Sequence, residues 1–164
     1  MLKLLFLLRI AMSPEQNKAI ALKFYEIFDQ QDTEKGRELI SADIIAQGLD
    51  VVPVEGIDAV MAYGAMMFSA FPDGRHVLGE VIAEGDKVFT RGTFSGTHQG
   101  ELMGMPASGK SVNFSVVHID RIVDGKVVEH WGQGDTLTMM KQLGIIFFPG
   151  PKLILRMLRR FVLG

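Results

Sequence analysis

Hydrophobic positions change their spacing about halfway along this chain. In the first part they recur every three or four residues, and the first such stripe consists of Ile20, Phe24, Ile27 and Phe28. Residues three and four apart lie on one face of an α-helix, so this spacing predicts a helix. Ser13, Pro14 and Gln16 precede the stripe with a capping-box sequence. We therefore predict the first helix over residues 14–30.

Three further segments are predicted to be helices, and strands are predicted from His76 onward, on either side of a glycine-rich loop. The helical segments are residues 33–40, 56–70 and 136–143. From His76 onward apolar and polar residues alternate, as is typical of half-buried strands. Turns at Gly85–Asp86 and Asp124–Gly125 predict two hairpins, because Asp-Gly in particular suits a type I′ turn. Helices followed by a run of strands predict an α+β fold with an antiparallel sheet.

The second hairpin turn sets which residues face each other if its loop has two residues. Val123 then lies opposite Lys126, and opposed residues share one face of the sheet. One face is predicted to carry Phe114, Val116, His118, Asp120, Glu129, Trp131, Gln133 and Asp135. Such a mixture of aromatic, acidic and histidine side chains is typical of a pocket wall. His130 falls on the opposite face in this register, so it is discounted.

The first hairpin predicts a charged pair. A two-residue loop at Gly85–Asp86 places Glu80 opposite Arg91. Beside this pair the same register predicts the apolar and polar neighbours Ile82–Phe89 and Leu78–Thr93. An arginine buried among apolar neighbours needs a carboxylate partner, and Glu80 would supply it.

Composition limits the chemistry available to these side chains. The chain has 164 residues and no cysteine, which excludes thiol nucleophiles, disulfides and cysteine-based metal sites. The lack of cysteine is compatible with a reducing, cytoplasmic location. The four histidines show no metal-ligand spacing, so a metal site is not expected.

Charge divides the chain into three parts: an apolar head (1–12), a single domain (13–143) and a basic tail (144–164). The head carries +2 and the tail +4, so the net charge of −2 leaves −8 for the domain. An acidic domain argues against nucleic-acid binding. The capping box directly after Met12 favours Met12 as the true start.

The basic tail has an amphipathic pattern after the Pro149–Pro151 break. On a helical wheel its cations fall on one stripe, which consists of Lys152, Arg156, Arg159 and Arg160. A helix of this kind can lie on an anionic membrane surface. We therefore expect peripheral membrane contact through residues 149–164, and docking on the domain or on a dimer partner is an equal alternative.

Two side chains on the predicted pocket face are candidates for acid/base chemistry. Asp135 inside an apolar cavity could move protons near neutral pH, because burial raises the pKa of a carboxyl group. Its alternative role is the N-cap of the helix that starts at Thr136. His118 could orient or protonate a carbonyl group, or it could simply pack against Trp131. His98 is expected either at the pocket mouth or in an exposed loop. His76 is expected at the surface.

The segment from Phe71 to Leu143 resembles the SnoaL-like polyketide cyclase (ester cyclase) family. The matching stretches are FPD, IAEGDKVFTRGTFSGTHQGELMGMPASGKSV, RIVDGKVVEHWGQGD and KQLG. With the first helix, the resemblance covers about residues 14–143. It implies a nuclear-transport-factor-2-like fold, in which helices and a strongly curved antiparallel sheet form a cone around an internal pocket. It also implies a homodimer through the outer face of the sheet.

The resemblance implies a function as well. Characterised family cyclases close a polyketide ring by intramolecular aldol condensation without a metal or cofactor, using an aspartate and a histidine. The aspartate corresponds to Asp135, and we take His118 as its partner. The expected protein is thus a cyclase of the lyase or isomerase class acting on a hydrophobic carbonyl compound, and the predicted substrate-binding residues are Trp131, Arg91, His98, Phe89, Phe114 and Gln133. The alternative is a non-catalytic small-molecule-binding module of the same fold.

Overall fold

The computed structural model describes residues 12–48 and 53–145, and these contain four helices and six strands. The helices are α1 (Pro14–Asp29), α2 (Thr33–Leu39), α3 (Ile57–Ala70) and α4 (Thr136–Leu143). The strands are β1 (Ile40–Gln47), β2 (Val54–Glu55), β3 (Arg75–Glu84), β4 (Lys87–Thr97), β5 (Ser111–Val123) and β6 (Lys126–Gly134). The predicted α+β class is confirmed. Nearly all of the apolar head and of the basic tail, including residues 149–164, lies outside the described residues.

The ends of the helices follow from local chemistry. The Ser13 side chain accepts a hydrogen bond from the Gln16 N–H, and the Gln16 side chain accepts one from the Ser13 N–H. The predicted capping box is therefore confirmed. Helix α4 starts after Asp135, whose side chain accepts from the Thr138 N–H. Its C-cap is Gly144, whose φ of 82° lies in the left-handed region that favours glycine.

The six strands form one open sheet in the order β2-β1-β6-β5-β4-β3. Neighbouring strands run antiparallel except β1 and β6, which are parallel. The prediction of an antiparallel sheet is wrong at this pair, so the sheet is mixed. Parallel strands need a long connection, and here everything from β2 to β5 lies between the two strands along the chain.

The predicted β3–β4 register is confirmed next to the turn and wrong beyond it. Glu80 lies opposite Arg91, and Ile82 opposite Phe89. Leu78, however, lies opposite Gly92 instead of Thr93, because a bulge interrupts the ladder between Leu78 and Glu80. The extra residue moves the rest of the pairing by one position.

The β5–β6 hairpin begins as predicted. Asp124 and Gly125 both have positive φ, 51° and 78°, as a type I′ turn requires. Val123 lies opposite Lys126, so the two-residue loop is confirmed.

A bulge then changes which residues of β6 face the core. Ile122 lies opposite Val127, but the next pair is Arg121 with Glu129, so Val128 has no partner in the ladder. Beyond this point each residue of β6 lies opposite a different residue of β5 from the one predicted. The predicted face is therefore wrong for β6: His130 lies opposite Asp120, where Glu129 was expected, and Gly132 lies opposite His118, where Trp131 was expected.

Helices cover one face of the sheet, which we call the inner face. One core cluster joins α1 and α3 to β1 and β6, and it contains Phe24, Tyr25, Ile44, Ala46, Val60 and Val127. A second cluster lies near α4 and contains Phe71, Phe94, Phe114 and Leu143. In the part of the chain that is described, no helix has the length and apolar character needed to cross a bilayer.

Candidate active site

A cavity of about 230 Å³ lies between the inner face of the sheet and helices α1, α3 and α4. Apolar side chains form most of its wall, among them Phe28, Met67, Leu102, Met105, Phe114 and Met139. Three histidines also line it: ring centres are 5.6 Å apart for His76 and His118, and 5.4 Å apart for His118 and His130. Within the described residues, no three histidine or acidic side chains are arranged to hold a metal ion. An apolar cavity with a few grouped polar side chains is typical of a small-molecule site.

Asp120 links two side chains of this cavity. It is fully buried on β5, directly opposite His130 of β6. Its Oδ2 accepts a 2.6 Å hydrogen bond from the Tyr25 hydroxyl, and its Oδ1 lies 2.7 Å from Nδ1 of His130. A carboxylate accepts hydrogen bonds, so the proton is assigned to Nδ1, and Nε2 of His130 keeps its lone pair.

Tyr25 is held as a hydrogen-bond donor in this network. Burial, and after it the negative charge of Asp120, raises the pKa of the Tyr25 hydroxyl well above its ordinary value. The phenol therefore stays protonated and donates to the carboxylate. Tyr25 lies on the buried face of α1 with Phe24, so the helix fixes the position of Asp120 from the opposite side of the core.

Within the described part of the chain, the buried His118 has no hydrogen-bond partner. Only 8% of its surface is exposed, and neither ring nitrogen has a partner among the described residues. Burial, with a smaller contribution from His130 and then His76, lowers the pKa of His118 to about 2. The ring is therefore neutral at physiological pH, with one nitrogen as donor and the other as acceptor. An unpaired buried polar group is costly, so a polar group of a ligand would find favourable hydrogen bonds here.

His76 is held by a carboxylate of its own. Both its backbone N–H and its Nδ1 lie 2.7 Å from the carboxylate oxygens of Asp29, the last residue of α1. Its side chain is 9% exposed, and its ring lies 5.4 Å from that of Tyr25 and 5.2 Å from that of Phe94. The prediction that His76 lies at the surface is wrong.

Asp135 lies apart from these groups, exposed at the start of α4. Its Oδ1 accepts from the Thr138 N–H at 2.9 Å, and its Oδ2 accepts from the Thr138 hydroxyl at 2.6 Å. These hydrogen bonds lower the pKa of Asp135, whereas a buried general acid needs a raised one. The prediction that Asp135 shares the pocket face with His118 is wrong, and the cap role is the one that the geometry supports.

Asp135→Ala is expected to lower the melting temperature most strongly at neutral pH. The folded-state pKa of Asp135 is below its unfolded value, so the cap stabilises above the unfolded pKa and is lost as pH falls through the folded pKa. Melting curves of both proteins from neutral to acidic pH should therefore converge. Asp135→Asn is the matched control, since asparagine also caps helices but does not titrate. Equal melting temperatures for wild type and Asp135→Ala at neutral pH would contradict this role.

The predicted binding residues of β6 and β5 are divided between the two faces. Trp131 is 39% exposed on the outer face, because the bulge turns it away from His118. Gln133 is exposed but contributes to the cavity wall, and Phe114 is buried in that wall. Substrate binding by Gln133 and Phe114 stays a prediction, whereas the position predicted for Trp131 is wrong.

The other predicted binding residues lie away from the cavity wall. Phe89 and Arg91 alternate with the buried Val88 and Thr90, so they lie on the outer face. Arg91 pairs with Glu80 at 2.7 Å, with both side chains more than half exposed. His98 is only 1% exposed, and its Nδ1 lies 3.0 Å from the Ser108 hydroxyl within the loop before β5. These positions are better suited to packing and surface pairing than to the substrate contacts predicted for Phe89, Arg91 and His98.

Comparison with known proteins shows which family this chain belongs to. The family model for the SnoaL-like polyketide cyclase matches residues 18–143. The chain belongs to the SnoaL-like polyketide cyclase family. DnrD of Streptomyces peucetius, an aklanonic acid methyl ester cyclase, is 31% identical to this chain over 126 residues, which cover 74% of this chain and 86% of DnrD.

Solved structures of SnoaL-like polyketide cyclases have the same fold. A protein of Jannaschia Sp. CCS1 assigned to this family is 26% identical, with a TM-score of 0.76 over 83% of this chain and 98% of that chain. IdmH of Streptomyces antibioticus, assigned to the polyketide cyclases, is 30% identical, with a TM-score of 0.70 over 79% of this chain and 99% of that chain. The family resemblance predicted from the sequence is confirmed.

In this SnoaL-like protein, the sequence indicates one cavity histidine, His118, but not the two carboxylate–histidine pairs beside it. Asp120 lies on the predicted face two residues after His118, and this spacing on one strand is the signal that favours it over Asp135. A regular register without the bulge places His130 on the opposite face, so the sequence alone does not indicate it. His76 and Asp29 are 47 residues apart along the chain, and no local pattern links them.

Proposed function

We propose that this protein catalyses intramolecular aldol-type ring closure of a hydrophobic carbonyl compound, without a cofactor. The observation that carries the proposal is the Asp120–His130 pair in an apolar cavity, beside a His118 that has no hydrogen-bond partner among residues 12–48 and 53–145. A base and a neutral hydrogen-bond donor are the two groups that enolate formation needs. The reaction falls in the lyase or isomerase class.

His130 is the general base in this proposal. Its Nδ1–H donates to Asp120, so Nε2 is the nitrogen with a free lone pair. The carboxylate fixes the tautomer and stabilises the imidazolium that forms when Nε2 takes a proton from the carbon next to a carbonyl group. Tyr25 holds the second oxygen of Asp120, which keeps the carboxylate in place.

His118 stabilises the oxygen on which negative charge develops. Its low pKa keeps it neutral, so it donates a hydrogen bond to the enolate oxygen without giving up the proton. Because neither nitrogen has a partner among the described residues, no existing hydrogen bond has to break when the substrate binds. Such prearranged donors stabilise transition states more strongly than water does.

The cavity wall supports a hydrophobic substrate with its carbonyl groups at one end. Apolar side chains of α1, α3 and α4 and of the loop before β5 surround most of the space, while the three histidines are grouped on the sheet. The relative DnrD is named for aklanonic acid methyl ester, which makes this ester a suitable probe substrate.

Incubation with aklanonic acid methyl ester in D₂O tests the proposal. We expect deuterium to enter the substrate at the carbon that loses its proton, and a ring-closed isomer to accumulate, both faster than without protein. Chromatography with mass spectrometry and proton NMR would measure the two rates. Saturable binding without exchange or ring closure would instead support the alternative, a non-catalytic binding module.

The predicted partners other than substrate stay predictions. The outer face carries several apolar side chains that are each at least 39% exposed, namely Val77, Ile82, Ile119 and Trp131. Exposed apolar patches often mark interfaces, so this face is the candidate surface for the predicted homodimer. The predicted membrane contact through residues 149–164 concerns residues outside those described.

A further inference from the structure

We propose that His76, held by Asp29, is the general acid of the ring closure and protonates the alkoxide that the new bond creates. The inference rests on the proposed function and adds a second proton-transfer group to it. It concerns the Asp29–His76 pair, which has no part in the roles proposed for His130 and His118.

The geometry around His76 matches that around His130. Each imidazole has Nδ1 at 2.7 Å from a carboxylate oxygen, and each ring lies within 6 Å of His118. In both pairs the carboxylate accepts from Nδ1, so Nε2 is the nitrogen that can exchange a proton with a ligand. The cavity thus has two carboxylate-held histidines, with the neutral His118 close to both.

The position of His76 suits contact with a substrate. His76 lines the cavity from β3, and His130 lines it from β6. In the sheet, β4 and β5 separate these two strands. A substrate in contact with His118 of β5 would therefore have one proton-transfer group on either side in strand order. An aldol reaction needs this separation, because the carbon that loses a proton and the carbonyl that gains one are different atoms.

The proposed step balances without any further reactant. Nε2 of His130 takes the proton from the carbon next to one carbonyl, and the electron pair of that bond attacks the carbon of the second carbonyl. The carbon–carbon bond forms, and the π electrons of the second carbonyl move to its oxygen. The cycle begins with His76 protonated on both nitrogens, and its Nε2–H gives its proton to this oxygen. Exchange with water returns a proton to His76 and removes one from His130.

A purely structural role for Asp29 predicts something different. Asp29 joins the end of α1 to β3 through the His76 backbone N–H, and this bond alone would tie the two elements together. If the pair only stabilised the fold, its variants would lower deuterium exchange and ring closure in parallel. If His76 is the acid, they lower ring closure alone, because proton removal by His130 does not need His76.

The test compares His76→Gln and Asp29→Asn with wild type, using aklanonic acid methyl ester in D₂O. We expect kcat for ring closure to fall about 10²- to 10⁴-fold in both variants. Deuterium exchange and KM should stay within about twofold of wild type, since only the acid step is removed. The amide of Asp29→Asn offers an N–H to Nδ1, which disfavours the doubly protonated ring. Asp58→Asn, which alters a surface pair with Arg37, is the matched control.

Each outcome decides between the proposals. Ring closure at the wild-type rate in His76→Gln would overturn the acid role and leave the proposed function intact. A parallel loss of exchange and closure in the two variants would also overturn it, because a purely structural role of the pair predicts that result. Wild-type protein with neither exchange nor closure would overturn the proposed function and the acid role with it. Loss of closure with retained exchange supports both.

Discussion

Asp120→Asn is expected to lower kcat for ring closure by about 10²- to 10⁴-fold, with the fold retained. The side-chain oxygen of the new asparagine can still accept from the Tyr25 hydroxyl, so that hydrogen bond persists. Its NH₂ group, however, faces Nδ1 of His130 and donates to it. The proton of His130 then moves to Nε2, which loses the lone pair that takes the substrate proton. Deuterium exchange should fall with ring closure, unlike in His76→Gln.

Steady-state rates with aklanonic acid methyl ester would measure this loss. Asp135→Asn is the matched control, because it makes the same chemical change at an exposed helix cap. Circular dichroism would show whether each variant is folded. Wild-type ring closure by Asp120→Asn, or a comparable loss in Asp135→Asn, would refute the assignment of the base to the Asp120–His130 pair.

Phe71→Ala is expected to lower the free energy of unfolding by about 3–5 kcal/mol. Phe71 is fully buried, and its ring lies 5.8 Å from Phe94 edge-to-face and 5.5 Å from His98. Removing the ring leaves a cavity in the cluster that supports the α4 end of the site. Because Phe94 and Phe114 belong to both this cluster and the cavity wall, substrate affinity should weaken as well.

Urea denaturation would measure the change for Phe71→Ala. Leu137→Ala is a suitable control, since Leu137 is 61% exposed and its truncation should change stability by no more than about 0.5 kcal/mol. A similar loss in the two variants would mean that the cluster closes around the missing ring.

The elements of the fold could be predicted because their signals are local. The capping box at Ser13 and Gln16 and the Asp124–Gly125 turn depend on side chains within a few residues. Once each helix and hairpin is recognised, its place in the order of elements is given by its position along the chain. The parallel pairing of β1 with β6 could not be predicted in this way, because it joins distant segments and no residue pattern marks it.

The site was harder to predict than the fold because one residue decides its composition. Side chains alternate across a strand, so the unpaired Val128 moves His130 to the inner face and Trp131 to the outer face. A bulge needs no distinctive residue type, and Val128 looks like any strand residue. The same regular register places Asp135 on the pocket face, and the family resemblance favours it as the catalytic aspartate over its alternative role as the cap of α4.

The distance along the chain between Tyr25 and Asp120 has a consequence for how the site is made. These two residues are separated by 95 positions. Strand β1 likewise pairs in parallel with β6, which lies near the end of the domain. Contacts of such long range form late, since closing a large loop costs entropy before the contact is gained. During synthesis, α1 leaves the ribosome long before β5 and β6 exist. The cavity is therefore absent from every partial chain and arises only when the last hairpin joins the first helix.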